Sequence, residues 1–255
     1  MPRETSDKLD DVFLSSALHQ AQAATLRFAG TPPGTESARE VYLSACAEIG
    51  SALQPLGFKY TKSAQRCVRK VEPFSYTVSF QSSHNNVSGH HVRLWTHGVV
   101  RSKALESWRA ERLPENLVSD YVAGGMVHRL SGVHSMVEWE LADPDTRAGT
   151  IADIVTFVGA DVLPYFKLFE RPADVIARLA ITEIPAFDLR PSVEFAMCFG
   201  SPRDGQAVLT RFLESRPDLH DGIAEAERQG LPKSPYGPGN FAEEVAFMRR
   251  IYRLQ

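Results

Sequence analysis

The chain has few of the features that mark familiar protein classes. Its 255 residues include only three cysteines, Cys46, Cys67 and Cys198. Their odd number and wide spacing fit neither a disulfide framework nor a CxxC zinc motif. No uncharged apolar run reaches the roughly 18 residues of a membrane-spanning helix, and no apolar secretory signal follows the polar start MPRETSDKLDD. We therefore expect reduced thiols, no membrane contact and a cytoplasmic location.

An excess of one charge and recognisable catalytic motifs are also missing. With 28 basic and 31 acidic side chains, the formal net charge is −3, which gives no overall attraction to nucleic acid or anionic membranes. The sequence contains none of the patterns GxGxxG, GxxxxGK[ST], HExxH or GxSxG. It therefore indicates no nucleotide-binding loop, zinc protease or serine hydrolase, and we predict no cofactor and no metal.

The clearest positive signal is a period of two in FSYTVSFQS, residues 74–82, where large apolar side chains alternate with small polar ones. This alternation is typical of a half-buried strand. The preceding QRCVRKV is predicted to pair with it, with Glu72 and Pro73 at the turn. Residues 90–100, GMVHRLS and VHSMVEWEL predict further strands, which gives an antiparallel sheet of about five.

Helical spacing of apolar residues precedes and follows this region. Ser37 and Glu40 form a capping-box pattern at the start of a helix predicted over residues 36–54, which stops at QPLGF. From Asp143, an N-cap followed by proline, helices are predicted to the end of the chain, the first with an apolar stripe up to Pro164. This order predicts an α+β fold: an antiparallel sheet packed by helices, with a helical C-terminal half.

Composition divides the chain into three segments. GTPPGT at residues 30–35 predicts a linker, so we interpret residues 1–35 as a helix with its Pro/Gly linker. Residues 36–180 form the predicted α+β domain, and residues 181–255 form a helical C-terminal segment.

Residues 53–83, LQPLGFKYTKSAQRCVRKVEPFSYTVSFQSS, resemble the bacterial family catalogued as domain of unknown function 4304. Members show a helix ending in PLGF, a basic turn and a strand reading xxNFQxS. The matching residues are Pro55, Leu56, Gly57, Phe58, Lys59, Arg69, Phe80, Gln81 and Ser82. The resemblance continues through WELADPD into the next helix, over about residues 36–180. It implies a shared α+β fold and no activity.

The stretch HHVRLWTHG, residues 90–98, concentrates chemically versatile side chains. Alternate side chains of a strand share a face, so the face opposite the phenylalanines of residues 74–82 is predicted to carry the row His91, Arg93, Trp95 and His97. The same alternation in VHSMVEWEL turns His134 and Glu138 outward. A bare tryptophan forgoes roughly 4–6 kcal/mol of burial, so we expect a helix from residues 143–200, a binding partner or a ligand against Trp95.

Three functional hypotheses follow. We favour a non-enzymatic binding protein, such as a toxin-neutralising immunity protein or accessory factor, whose protein partner contacts these six residues. The first rival is a hydrolytic or metal-assisted enzyme that uses His91, His97, His134 and Glu138. The second rival is a nucleic-acid-associated protein that uses the basic hairpin 59–70, through Lys59, Lys62, Arg66 and Arg69. Protection of an edge strand is a simpler interpretation of that hairpin, and the net acidity disfavours nucleic acid.

Overall fold

The structure is a computed structural model that describes residues 36–132, 135–229 and 240–255. The helix and linker predicted over residues 1–35 lie outside the described residues, and so does His134. The fold class is α+β: an antiparallel sheet is combined with helices that fill the C-terminal half. The predicted fold class is confirmed.

The fold consists of two compact units, each of which is discontinuous in sequence. Unit 1 comprises the described residues up to Val100 together with Gly124–Lys167. Unit 2 comprises Arg101–Ala123 together with Leu168–Gln255. The domain limits expected after residues 35 and 180 stay a prediction.

The sheet has six strands among the described residues, in the spatial order β1-β2-β3-β4-β5, with β6 paired to β4. They are β1 (Lys59–Thr61), β2 (Arg66–Val71), β3 (Phe74–Ser82), β4 (Arg93–Ser102), β5 (Tyr121–Met126) and β6 (Trp139–Glu140). β2 and β3 form the predicted hairpin, in which Val71 lies opposite Phe74 and residues 72–73 make the turn.

The helices begin where the sequence places their caps. In chain order they are α1 (Ala38–Ala52), α2 (Lys103–Ala110), α3 (Val127–Leu130), α4 (Pro144–Phe157), α5 (Leu163–Leu168), α6 (Pro172–Leu179), α7 (Leu189–Phe199), α8 (Pro202–Ser215), α9 (His220–Gln229) and α10 (Phe241–Tyr252). The capping box of α1 is present: Ser37 N donates to Glu40 Oε2 at 2.8 Å, and Glu40 N donates to Ser37 Oγ at 3.2 Å. Asp143 caps α4 by accepting from Asp145 N at 2.9 Å. A bilayer crossing needs about 20 mostly apolar helical residues, and no helix in the described part of the chain meets that requirement.

One face of the sheet packs against helices of unit 1. The Tyr76 ring of β3 stacks on Phe166 of α5, with centroids 4.9 Å apart. Gly98 of β4 faces the same ring, because a Cβ at this position would lie 3.4 Å from Phe166. On β1, the Tyr60 ring lies so close to Gly50 of α1 that a Cβ on this glycine would collide with it. Tyr60, Tyr76 and Gly98 therefore mark the core face of the sheet.

The opposite face, which we call the open face, follows from the strand registers. Lys59 lies opposite Val68, and Val68 lies opposite Thr77; cross-strand partners share a face. In β4 every second residue from Leu94 to Val100 is buried, which confirms the predicted alternation. The open face therefore carries Lys59, Thr61, Arg66, Val68, Lys70, Ser75, Thr77, Ser79, Arg93, Trp95 and His97.

The strand predicted over GMVHRLS is wrong. β5 begins earlier, at Tyr121, and the chain becomes helical after Met126. Val127 and Leu130 are both buried. A separation of three residues puts two side chains on one side of a helical turn but on opposite faces of a strand. Burial of both side chains therefore favours the helical turn α3.

In the described part of VHSMVEWEL, residues 135–141, the predicted strand is limited to the two residues of β6, which pair with β4. Trp139 faces the core, with its ring 6.1 Å from that of Phe157, whereas Val137, two residues before it, is half-buried. The Glu140 carboxylate accepts from the backbone N–H of Val92 at 2.7 Å. This side-chain contact marks the C-terminal end of β6, where Leu141 N makes the last backbone hydrogen bond, to Val92 O.

The helix that we expected to stop at Pro164 continues through it. Residues 158–162 form a π-helical turn, in which Leu163 N donates to Val158 O five residues back. Proline lacks an N–H and crowds the carbonyl four residues before it. The wider π turn relieves that crowding. As a result, α5 extends past the proline and carries Phe166 onto the sheet.

Unit 2 is centred on the ion pair between Arg109 of α2 and Glu194 of α7, whose side chains are 1% and 0% exposed. Arg109 Nε donates to Glu194 Oε2 at 2.6 Å. Arg109 Nη1 donates to the carbonyl oxygens of Ser119 and Tyr121 at 2.8 and 2.5 Å. The other Glu194 oxygen accepts from the Tyr252 hydroxyl of α10 at 2.6 Å. Three separate helices thus meet at one carboxylate.

Arg109→Ala is expected to lower the free energy of unfolding by up to about 3–5 kcal/mol, because it removes one of the two guanidinium groups that compensate the buried Glu194 carboxylate and leaves it with Arg190. Glu194→Gln, which keeps the shape of the side chain, is expected to destabilise in the same direction. The matched control Arg101→Ala breaks a pair with Asp120 whose side chains are 40% and 25% exposed, and it should cost about 0–1 kcal/mol. Urea denaturation followed by circular dichroism measures all three. Equal losses for Arg109→Ala and Arg101→Ala would contradict the central role of this ion pair.

Candidate functional site

The best-defined polar group on the open face joins β4 to the segment before β6. The indole N–H of Trp95 donates to Glu138 Oε1 at 3.0 Å, and Arg93 pairs with Glu138 Oε2 at 3.2 Å. The Arg93 and Glu138 side chains are 50% and 29% exposed, and Trp95 is half-buried. Both carboxylate oxygens are therefore engaged, and the indole is held in one orientation. We call these three residues the Trp95 cluster; they are half of the six residues predicted from sequence.

His91 is separated from this cluster. β4 starts two residues after it, and His91 forms an isolated bridge with Val87. His91 N donates to Val87 O at 3.0 Å, and its Nε2 lies 2.7 Å from the carbonyl oxygen of Asn85. These contacts close a turn over residues 87–91, so the predicted strand row begins at Arg93 instead. His134 lies outside the described residues.

His97 continues the row on the open face and is half-buried. Its Nε2 atom and the Nδ1 atom of His128 are both buried without a hydrogen-bond partner among the described residues. Burial lowers the pKa of His97, and the neighbouring His128 lowers it further. The shift favours the neutral imidazole at pH 7.

The middle of the open face is less accessible than the alternation suggests. The side chains of β3 point in the predicted direction, yet Thr77 is only 7% exposed and Ser75 and Ser79 are half-buried. Alternation fixes the direction of a side chain but not its exposure, which also depends on neighbouring strands. The accessible parts of this face are β1, β2 and the start of β4.

The basic hairpin divides between the two faces of the sheet. Three exposed cations lie on the open face: Lys59, Arg66 and Lys70. Arg69 instead lies opposite Tyr76, and its side chain passes 3.6 Å from where a Cβ of Gly57 would be, so it is on the core face. Lys62 lies in the 3-10 turn between β1 and β2. The sequence run therefore does not form a single cationic patch.

The described residues offer neither a cluster of metal ligands nor an activated thiol. No group of three or more His, Cys, Asp or Glu side chains there is placed to hold a metal ion. Burial raises the pKa of the Cys46 and Cys67 thiols to about 12, and burial also raises the pKa of Cys198. Since the thiolate is the reactive form, none of these three cysteines is activated. The enzyme hypothesis stays a prediction.

A second concentration of ionisable groups, missed by sequence reasoning, surrounds Glu194 in unit 2. Arg190 Nε lies 3.3 Å from Glu194 Oε1. Burial raises the pKa of Glu244 on α10 to about 7; Arg190 opposes this shift, and the carboxylates of Asp188 and Glu194 add to it. Arg109 and Glu194 are 85 positions apart, so no local pattern in the sequence signals this cluster.

No protein-family model, curated protein or solved structure matches the chain. Membership of the family catalogued as domain of unknown function 4304 therefore stays a prediction.

We expect the His97 imidazole to titrate below the ordinary value of 6.5, because burial disfavours the charged ring. His128→Asn removes the neighbouring imidazole and should raise the His97 midpoint while leaving it below 6.5. Heteronuclear NMR of the imidazole nitrogens across pH 4–8, roughly the range that brackets this titration, measures both. A wild-type midpoint at or above 6.5 would show that the ring is solvated.

We expect the stability of unit 2 to fall as pH rises from about 4.5 to about 7 because of Glu244. Its folded-state pKa is raised, so in this range the folded protein keeps a proton that the unfolded chain has released. The effect is fully present below the unfolded pKa, is lost as pH passes the folded pKa, and amounts to at most about 3 kcal/mol. Glu244→Gln should flatten this part of the pH profile in thermal denaturation. Glu243→Gln, on the same turn of α10, is the control and should leave the pH profile unchanged. Equal profiles for both variants would show that Glu244 is not the source of the pH dependence.

Proposed function

We propose that this protein is a non-enzymatic binding protein that recognises a partner protein through the open face, with the Trp95 cluster as its anchor. The observation that carries the proposal is the fixed orientation of Trp95. Glu138 accepts from the indole N–H and is itself held by Arg93. The cluster lies opposite the sheet face that packs against Phe166.

The chemistry of the cluster suits recognition. Tryptophan and arginine are enriched among the residues that contribute most to interface affinity. Burying the accessible part of an indole contributes about 25 cal/mol per Å² of apolar surface. Because a hydrogen bond already orders Trp95 in the free protein, a partner loses less side-chain entropy on binding. An ordered, half-buried tryptophan beside an exposed arginine is therefore a suitable anchor.

The rival hypotheses draw less support from the same residues. An enzyme built on His97 and Glu138 needs a carboxylate to orient the imidazole, whereas both Glu138 oxygens are taken by Trp95 and Arg93. Single-stranded nucleic acid needs a cationic groove with stacking aromatics, and Glu138 places a negative charge beside Trp95. A toxin-neutralising immunity protein or an accessory factor is a concrete version of the proposed class, with the cytoplasm as its proposed location.

Trp95→Ala is expected to weaken partner binding by more than about tenfold, since interface anchors cost about 2 kcal/mol or more on truncation. Partners are captured from extracts of the source cells with wild-type protein, identified, purified and titrated by calorimetry. Trp108→Ala is the matched control: Trp108 is also half-buried but packs on Tyr252 in unit 2, so it should leave the affinity unchanged. Thermal denaturation of each variant checks that the fold is retained.

The same calorimetric titrations can also exclude the proposal. A purified partner that binds wild type and folded Trp95→Ala equally well would exclude the Trp95 cluster as the anchor. Turnover of a substrate that is lost in His97→Gln and retained in Trp95→Ala would show that the protein is an enzyme.

A further inference from the structure

We infer that the partner offers an extended acidic segment to a cationic strip on the open face, an inference that rests on the proposed function. The cationic strip consists of Lys59, Arg66 and Lys70, all of which are exposed and share that face. It lies on β1 and β2, and β3 separates it from the Trp95 cluster on β4. Neighbouring strands are about 4.8 Å apart, so β2 and β4 are separated by about 10 Å. A partner that places its acidic segment on the strip can therefore also contact Trp95.

The three cations are regularly spaced along the strand direction. Arg66 and Lys70 are four residues apart in β2, Val68 lies midway between them, and Lys59 lies directly opposite Val68. Side chains two residues apart on a strand repeat every ~6.6 Å. The strip therefore presents positive charges in steps of about 6.6 Å. An extended peptide with a carboxylate at every second residue has the same repeat.

The strip has no internal counter-charge. Among the described residues, no carboxylate forms an ion pair with Lys59, Arg66 or Lys70, whereas Arg93 is neutralised by Glu138 on the same face. Residues 59–70 contain five basic side chains and no acidic one, in a chain whose net charge is −3. The strip is thus a local reversal of charge that an acidic ligand complements.

Protection of the sheet edge explains only part of the strip. Lysine on a short edge strand discourages pairing with other chains, and Lys59 on β1 fits that role. Arg66 does not, because it is paired on both sides, with Thr61 of β1 and with Ser79 of β3. Arg66 therefore lies on an inner strand, next to the turn that joins β1 and β2, and it does not protect a lateral edge of the sheet.

A peptide suits this surface better than a nucleic acid. Phosphate binding without sequence preference combines cations with aromatic rings on which bases stack. On the open face the tryptophan is Trp95, whose N–H bond to Glu138 places a carboxylate next to the ring. That carboxylate repels a phosphate backbone, whereas a peptide is free to direct apolar or cationic side chains toward it.

Binding of synthetic probes tests the inference. Fluorescence anisotropy at low salt compares a labelled peptide of alternating glutamate and threonine, a peptide of the same composition with its glutamates contiguous, and a thymidine oligonucleotide of equal charge. The triple variant Lys59→Glu, Arg66→Glu, Lys70→Glu is compared with a control that reverses three exposed arginines of unit 2: Arg178→Glu, Arg203→Glu and Arg228→Glu. Both triple variants change the net charge equally, so only the location of the charges differs.

We expect the alternating peptide to bind wild type most tightly, with an affinity that falls as salt is added. The strip variant should bind it at least about tenfold more weakly, a loss of about 1.4 kcal/mol, and the control variant should bind like wild type. Equal binding by strip and control variants, tighter binding of the oligonucleotide, or no binding of the alternating peptide would each overturn the inference. If a purified partner loses affinity for Trp95→Ala but not for the strip variant, the proposed function stands and the acidic-segment inference fails.

Discussion

The stacking of Tyr76 on Phe166 decides which face of the sheet belongs to the core of unit 1. Once Tyr76 points inward, its neighbours on β3 point outward. Because cross-strand partners share a face, the register then determines which side chains of β2 point inward. The same alternation places Arg66 on the open face and Arg69 on the core face. The stacking depends in turn on α5 extending past Pro164, which the π turn at residues 158–162 permits. A local irregularity in one helix thus supports the orientation of the whole sheet.

Unit 2 is organised by a different kind of interaction. A buried ion pair adds little net stability compared with well-packed apolar residues, but removal of one partner is costly. Arg109 suits this position because its planar guanidinium offers several donors at once: it reaches Glu194 and the carbonyl oxygens of Ser119 and Tyr121. A lysine has one ammonium group and cannot span all three. The pair therefore acts mainly by specifying which segments of the chain meet.

Features encoded by a few adjacent residues were predictable from the sequence. The capping box at Ser37 and the proline after Asp143 each depend on contacts within one turn of helix, and the alternation in β3 depends on strand geometry alone. The fold class followed from the order of such elements. The orientation of Trp95 followed too, because β4 keeps a strict alternation of burial.

The remaining features depend on contacts between distant residues. The GMVHRLS segment is apolar enough for a strand, and only the joint burial of Val127 and Leu130 favours a helical turn. The position of Glu138 beside Trp95 requires a contact across 43 positions, and that of Glu194 beside Arg109 one across 85. Alternation predicts that a side chain points outward, but it cannot identify the neighbour that the fold will supply.

The discontinuity of the two units determines how the chain can be shortened. Residues 101–123 belong to unit 2, although the sequence on both sides of them belongs to unit 1. A chain truncated after Lys167 would keep Arg109 but lose Glu194, and the guanidinium would retain its hydrogen bonds to Ser119 and Tyr121 without an anion. A fragment that begins at Leu168 would keep Glu194 and Arg190 but lose Arg109. Truncation at this boundary would therefore divide unit 2 between the two fragments, and a change of binding in either fragment would also report the loss of that unit.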